Sequence, residues 1–272
     1  MTRALAALVA HSLRRNRWLL AATLVLLALF QGLTSFMAST FQEMKYFERL
    51  ATLVPPFIRQ AFGSSFLPML SFTGIVVLGY FHFAVIAFLI GLAIAVATEP
   101  AADVEHRFTD LLLARPVPRW LPILRSAALV VICAAATTAA MAAGTRAGLA
   151  LFAPAGARWP SPGLMLSLSV NLGALMMCWG GIALAIAAAV RRRGVAGAAA
   201  GLAAFALFLL DVVARVRDPI GGMARLSPFH YFNPLLLVAG QPIRPGDPAA
   251  LLAFAAAGLV VALLLYTRRD LA

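Results

Sequence analysis

The sequence predicts an all-α polytopic membrane protein with six transmembrane helices, and three observations lead there. Of 272 residues, 62% are apolar and 12% charged, against about 45–50% and about 25% in soluble domains. Six stretches contain no Asp, Glu, Lys or Arg: Trp18–Gln42 (25 residues), Gln60–Thr98 (39), Ser126–Thr145 (20), Trp159–Val190 (32), Gly194–Leu210 (17) and Pro248–Thr267 (20). Each is at or near the roughly 17–25 residues that carry a helix across the hydrocarbon. The runs are uniformly apolar rather than alternating, which argues against barrel strands. A soluble bundle would need six nearly charge-free core helices in one small domain.

Residues 1–17 form a separate first element. Arg3, Ala7, Ala10, Arg14 and Arg17 recur at helical spacing, while Leu5, Leu8, Val9 and Leu13 gather opposite them. That is the pattern of an interfacial helix lying on the inner leaflet; the plainer reading is a basic flank that sets topology. The apolar run after Arg14-Arg15-Asn16-Arg17 is too long for a signal-peptide core and lacks a convincing cleavage site, so it reads as an uncleaved first span. Residues 18–272 then make one six-span domain, with spans at about 18–39, 73–98, 120–144, 163–190, 194–212 and 249–267.

Basic residues orient it. With the N-terminus inside, the short inner segments carry 13 of the 22 basic residues and the longer outer segments nine, which places both termini in the cytoplasm. The net charge of +12 is therefore read as topology and not as a nucleic-acid surface. The outer loop 41–72 is too apolar to be fully solvated and is expected on the outer membrane surface or capping the path. Pro219, Gly221, Gly222, Pro228, Pro234, Pro242, Pro245 and Pro248 punctuate an apolar stretch at Leu235–Val238. This suits a re-entrant outer hairpin between spans five and six. No internal repeat is evident. Cys133 and Cys178 lie inside spans three and four and read as packing residues.

The inner loop between spans two and three stands apart, with four of the ten acidic residues: Glu99, Asp103, Glu105 and Asp110. Pro100 suits a first helical turn and Pro116 a stop, so a helix over about 100–114 is expected. Val104, Phe108, Leu111 and Leu112 share one face, and Asp103 is spaced to pair with Arg107. The result is a short amphipathic helix with a charged face for a partner.

Here the chain resembles the permease subunits of ABC-2-type ATP-binding-cassette exporters. The resemblance rests on Glu105 and on Asp110-Leu111-Leu112-Leu113-Ala114-Arg115-Pro116-Val117-Pro118-Arg119. Leu226-Ser227-Pro228-Phe229-His230-Tyr231 with Pro234, and Tyr266-Thr267-Arg268-Arg269-Asp270-Leu271 at the end, agree with it. The order of the six spans matches as well. Arg107-Phe108-Thr109 departs from the family's frequent Gly-Thr-Leu. The resemblance implies a coupling helix within Glu99–Arg119 that docks in a cleft of an ATPase subunit, with Glu99, Asp103, Glu105, Arg107, Asp110, Arg115 and Arg119 as its coupling residues. It further implies a permease dimer through spans one and five, two ATPase partners holding ATP and Mg, and a place in the cell membrane, the bacterial inner membrane being expected.

The chain's own chemistry is sparse. A P-loop needs a lysine after glycine to reach the phosphates, and the one lysine, Lys45, lies between Met44 and Tyr46. ATP hydrolysis is thus expected on a separate polypeptide, no cofactor or metal is assigned to this chain, and no catalytic constellation is legible. His82, Asn171 and Asp211 are transport-path candidates because polar groups at bilayer depth are candidates for function. Each also fits a plain structural role, Asp211 by pairing with Arg215. Gly144/Gly148 and Gly197/Gly201 carry small-residue spacing that serves either general packing or an interface, and Gly197 and Gly201 fall in the span that the resemblance assigns to dimerisation. The expected function is an exporter permease. An ATPase-independent channel or secondary carrier is the alternative, with a polytopic intramembrane enzyme or scaffold behind it.

Overall fold

The computed structural model describes residues 2–43, 71–106, 118–216 and 218–268. All regular structure among them is helical: α1 (Thr2–Arg15), α2 (Arg17–Glu43), α3 (Phe72–Val76), α4 (Phe83–Ala97), α5 (Glu99–Glu105), α6 (Leu121–Phe152), α7 (Pro162–Ala189), α8 (Arg193–Val216), α9 (Pro234–Val238) and α10 (Gly246–Arg268). Short 3-10 turns occupy Leu78–Tyr80, Asp218–Leu226 and Pro228–Tyr231. Five helices, α2, α6, α7, α8 and α10, are long and apolar enough to cross a membrane, the mark of an integral, multi-pass protein. A sixth crossing results if α4 and α5, bent by 42° at their junction, count as one span.

Local chemistry sets the helix ends. Ser161 caps α7 by accepting a hydrogen bond from the Leu164 amide at 3.1 Å, with Pro162 in the first turn. α6 runs to Phe152 and stops before Pro154, eight residues beyond the expected end of span three. Gly156 at φ 83° turns the chain toward α7. Between α4 and α5, Pro100 has no amide to continue the ladder, and the chain bends at Thr98. The Ala95 carbonyl at this bend accepts from Thr98 Oγ1 at 3.2 Å and from Arg193 Nη2 at 3.0 Å.

α7 is the centre of the bundle, with two thirds of its most apolar window buried against 22% for α8 and α10. Trp179, Leu168, Leu172, Leu175 and Met176 are fully enclosed, and α10, α6, α4 and α8 pack around them. Gly181 and Gly258 bring the α7 and α10 backbones together: a Cβ on Gly181 would lie 2.7 Å from Ala255 Cα. α2 packs on α6 through Gly144 and Gly148 in the same manner. Phe229 of the 3-10 turn Pro228–Tyr231 fills the space between Trp179 (centroids 5.6 Å) and Phe208 (5.5 Å). The preceding Ser227 donates to the Leu207 carbonyl at 2.8 Å, fixing the turn against α8.

Span two is not the single helix expected over 73–98. It is broken into α3, the turn Leu78–Tyr80 and α4, and α2 supports the break. The Thr34 hydroxyl has the Val76 carbonyl within 3.1 Å and the Gln31 carbonyl within 2.9 Å. The segment after α8 is a series of short helical turns ending at α9, which Gly240 (φ 86°) closes. α1 keeps the two faces expected of it: Arg3, Ala7, Ala10 and Arg14 are exposed, as is Arg17 at the start of α2, and Leu5, Leu8, Val9 and Leu13 are half-buried. The outer loop expected over 41–72 lies outside the described residues at 44–70, α2 extending through Glu43.

Candidate functional site

The acidic segment is built where four elements meet. Because the chain bends at Thr98, Glu99 and Asp103, one turn apart on α5, face α6 together. Arg125 of α6 meets both: Nη2 lies 2.8 Å from Asp103 Oδ2 and 3.3 Å from Glu99 Oε2. The Arg125 side chain is 5% exposed, the Glu99 and Asp103 side chains 17% and 12%. α1 and the turn after it close the cluster, with Ser12 donating to Glu99 Oε2 at 3.4 Å and Asn16 Nδ2 to Oε1 at 3.3 Å. A buried arginine shared by two carboxylates leaves one negative charge in excess, and these two neutral donors disperse it.

Among the described residues Asp103 pairs across to α6. The expected partner Arg107 lies outside the described residues, and Arg125, 22 positions away, occupies the carboxylate. An i to i+4 template sees only one helix, whereas the bend carries Asp103 onto a neighbour.

Glu105 plays a different part. Its Oε2 accepts the backbone N–H of Arg193 at 2.9 Å, so the last residue of α5 caps the first residue of α8. The carboxylate also sits at the positive end of the α8 dipole. Arg193 turns its guanidinium to the Ala95 carbonyl across the bend. α5 is thus fastened on one side to α6 and α1 and on the other to α8. Arg119 is exposed, two residues before α6 begins. Asp110 and Arg115 lie outside the described residues, as does most of the helix expected over 100–114; the described part ends at Glu105, with His106 as its C-cap.

No family model, curated protein or solved structure matches this chain.

The path candidates do not join this cluster. His82 precedes α4, about 20 Å along α2 from Arg17 by helical rise. Its ring stacks on Phe83 (5.7 Å) and meets the edge of Phe30 (5.8 Å), and its buried Nδ1 makes no hydrogen bond to a described group. Asn171 is 2% exposed within α7, and its Oδ1 is likewise without a described partner. Asp211 is buried in α8, which continues past it to Val216. Its expected partner Arg215 has a side chain outside the described residues. A polar group not singled out from sequence lies near the break in span two: the buried Tyr80 hydroxyl faces Gln31, Thr145 and Ser169.

Gly197 and Gly201 have open space over their Cα atoms, while Gly144 and Gly148 are packed on Ala28, Gly32 and Ser35 of α2. Among the described residues no group of His, Cys, Asp and Glu is arranged to hold a metal. Ser12, Asn16, Arg125 and Arg193 are the site residues that sequence reasoning missed. The signal the sequence carries for the cluster is Arg125 itself, a charge at the edge of the apolar run Ser126–Thr145.

Proposed function

We propose that this chain is the permease subunit of an ABC-2-type exporter. In this reading two copies form the translocation path and two separate ATPase subunits, which hold ATP and Mg, dock on the segment Glu99–Arg119. The observation that carries the proposal is the buried Glu99–Arg125–Asp103 triad with its caps, which fastens a short acidic helix rigidly to α1, α6 and α8. A motor moving this segment would move the membrane helices with it, as a packed, bistable bundle requires. α4 with α5 then serves as the second of six spans, α1 lies on the inner leaflet, the turns from Asp218 to α9 form the outer hairpin, and both termini are cytoplasmic in a cell membrane. The apolar outer face of α8, with Leu202, Phe205 and Leu209 exposed beside Gly197 and Gly201, suits the partner permease.

The test is affinity purification of the tagged chain from its native membranes, followed by assay of any co-purifying P-loop ATPase. Wild type is expected to bring down the ATPase and modulate its turnover. D110N and R119Q are expected to leave the chain folded and to abolish that modulation. Unchanged modulation in both variants, or gradient-driven ion flux by the chain alone in proteoliposomes, would sink the proposal. The second outcome would favour a carrier in which His82 and Asn171, polar atoms buried without described partners, handle the ion.

A further inference from the structure

α1 presents a basic surface whose orientation is fixed by the rest of the fold. Four arginines, Arg3, Arg14, Arg15 and Arg17, fall within the first 17 residues, and the first acidic residue of the chain is Glu43. All four are exposed. Among the described residues the ion pairs are the two that Arg125 makes, so no described carboxylate neutralises this face. Glu99, the acid that Ser12 and Asn16 touch, is turned inward onto Arg125.

The same contacts hold the helix in place. Ser12 is 5% exposed, and Leu5, Leu8, Val9 and Leu13 face inward, where α1 packs on α6. The four guanidinium groups are therefore displayed on a seated helix and not on a free tail. The face runs directly into the first spanning helix. Trp18 is 76% exposed and Leu19 63%, and the Arg17 guanidinium stands over the Trp18 ring at 5.3 Å. A tryptophan at that point marks the level where headgroups give way to hydrocarbon, so the arginines just before it lie at headgroup depth.

We propose that the exposed face of α1, continued by the first turn of α2, is a binding surface for anionic phospholipid headgroups, with Arg3, Arg14, Arg15 and Arg17 contacting the phosphates and Trp18 seated at the acyl boundary. Guanidinium groups pair with phosphate oxygens in bidentate fashion, and a basic amphipathic helix continuous with an apolar span is already held within a Debye length of the lipid surface. The inference does not depend on the exporter reading.

The purified full chain in neutral detergent is titrated with dioleoyl phosphatidylglycerol or dioleoyl phosphatidylcholine, and retained lipid is counted by native mass spectrometry. Phosphatidylglycerol is expected to be retained selectively, with selectivity falling about fivefold per arginine removed and largely lost in R3Q/R14Q/R15Q/R17Q. The side chains that seat α1 are untouched in that variant, and its thermal transition serves as the folding check. Should it not fold, R14Q and R15Q singly are each expected to give the fivefold step. Equal retention of the two lipids by wild type, unchanged selectivity in the arginine variants, or equal competition by soluble glycerol phosphate would overturn the proposal.

Discussion

Buried Arg125 of α6 and half-buried Asp103 of α5 form an ion pair at 2.8 Å, and Glu99 completes it from 3.3 Å. Removing the cation from such a cluster is far more damaging than removing the cluster, because the carboxylates are then left desolvated without compensation. R125M is expected to lower stability by about 3–5 kcal/mol. The triple variant E99Q/D103N/R125M, in which no charge remains, is expected to recover a large part of that loss. Thermal unfolding of the three proteins in one detergent checks this; a triple variant as unstable as R125M would mean that packing, not charge, dominates the corner.

The two small-residue pairs have the same spacing and opposite surroundings. A Cβ on Gly144 would lie 2.6 Å from Ala28 Cα, and one on Gly148 2.8 Å from Gly32 Cα, whereas Gly197 and Gly201 face open space. Backbone atoms cannot swing aside as a side chain can, so G144A and G148A should force α2 from α6 and destabilise by about 1–3 kcal/mol. G197A and G201A should be neutral or stabilising by up to about 1 kcal/mol in the monomer, through helix propensity. If α8 is the permease interface, bulkier G197L/G201L lowers the dimer fraction by light scattering without lowering the monomer's melting temperature.

What was legible in the sequence follows the physics of each segment. The long helices announce themselves because a charge-free run bounded by arginine has one solution in lipid, and α7 and α10 fall close to where that argument places them. The break in span two was hidden because 73–98 is apolar throughout, and the groups that support the break, Thr34 and Gln31, come from another helix. Arg125 was visible as a charge but not as a ligand. Its partners reach it only after the bend at Thr98, and no local spacing encodes that. The glycine pairs were legible as motifs, but only the position of α2 distinguishes a packed seam from an open face.

The break in span two yields a direct test. Thr34 places its hydroxyl within reach of the Val76 carbonyl at the end of α3, where the helical ladder is interrupted. T34V keeps the shape and removes the only donor Thr34 can offer, leaving a buried carbonyl without that partner. A loss of about 1–3 kcal/mol is expected, with T34S retaining most of the wild-type stability. Faster amide hydrogen exchange confined to residues 76–82 in T34V would locate the effect; a uniform increase over the whole bundle would argue against a local role.

The Glu105 cap on Arg193 is the polar contact between α5 and α8, beside the buried cluster of Ala101, Ala187 and Ala196, so its removal weakens the linkage with little effect on folding. E105A loses both the hydrogen bond to the Arg193 amide and the negative charge at the α8 N-terminus. Because this corner is exposed, the expected stability change is small, about 1 kcal/mol or less. E105Q retains an acceptor oxygen and should fall between E105A and wild type. Under the exporter proposal the functional consequence is larger than the structural one: motion imposed on α5 would still reach α6 through Arg125 but would be weakened at α8. A spin-label distance between α5 and the N-terminal turn of α8, measured with and without nucleotide in the purified complex, would be expected to stay constant in wild type and to broaden in E105A. A distribution that stays equally narrow in both proteins would show that the packing of Ala101 with Ala187 and Ala196 couples the two helices without Glu105.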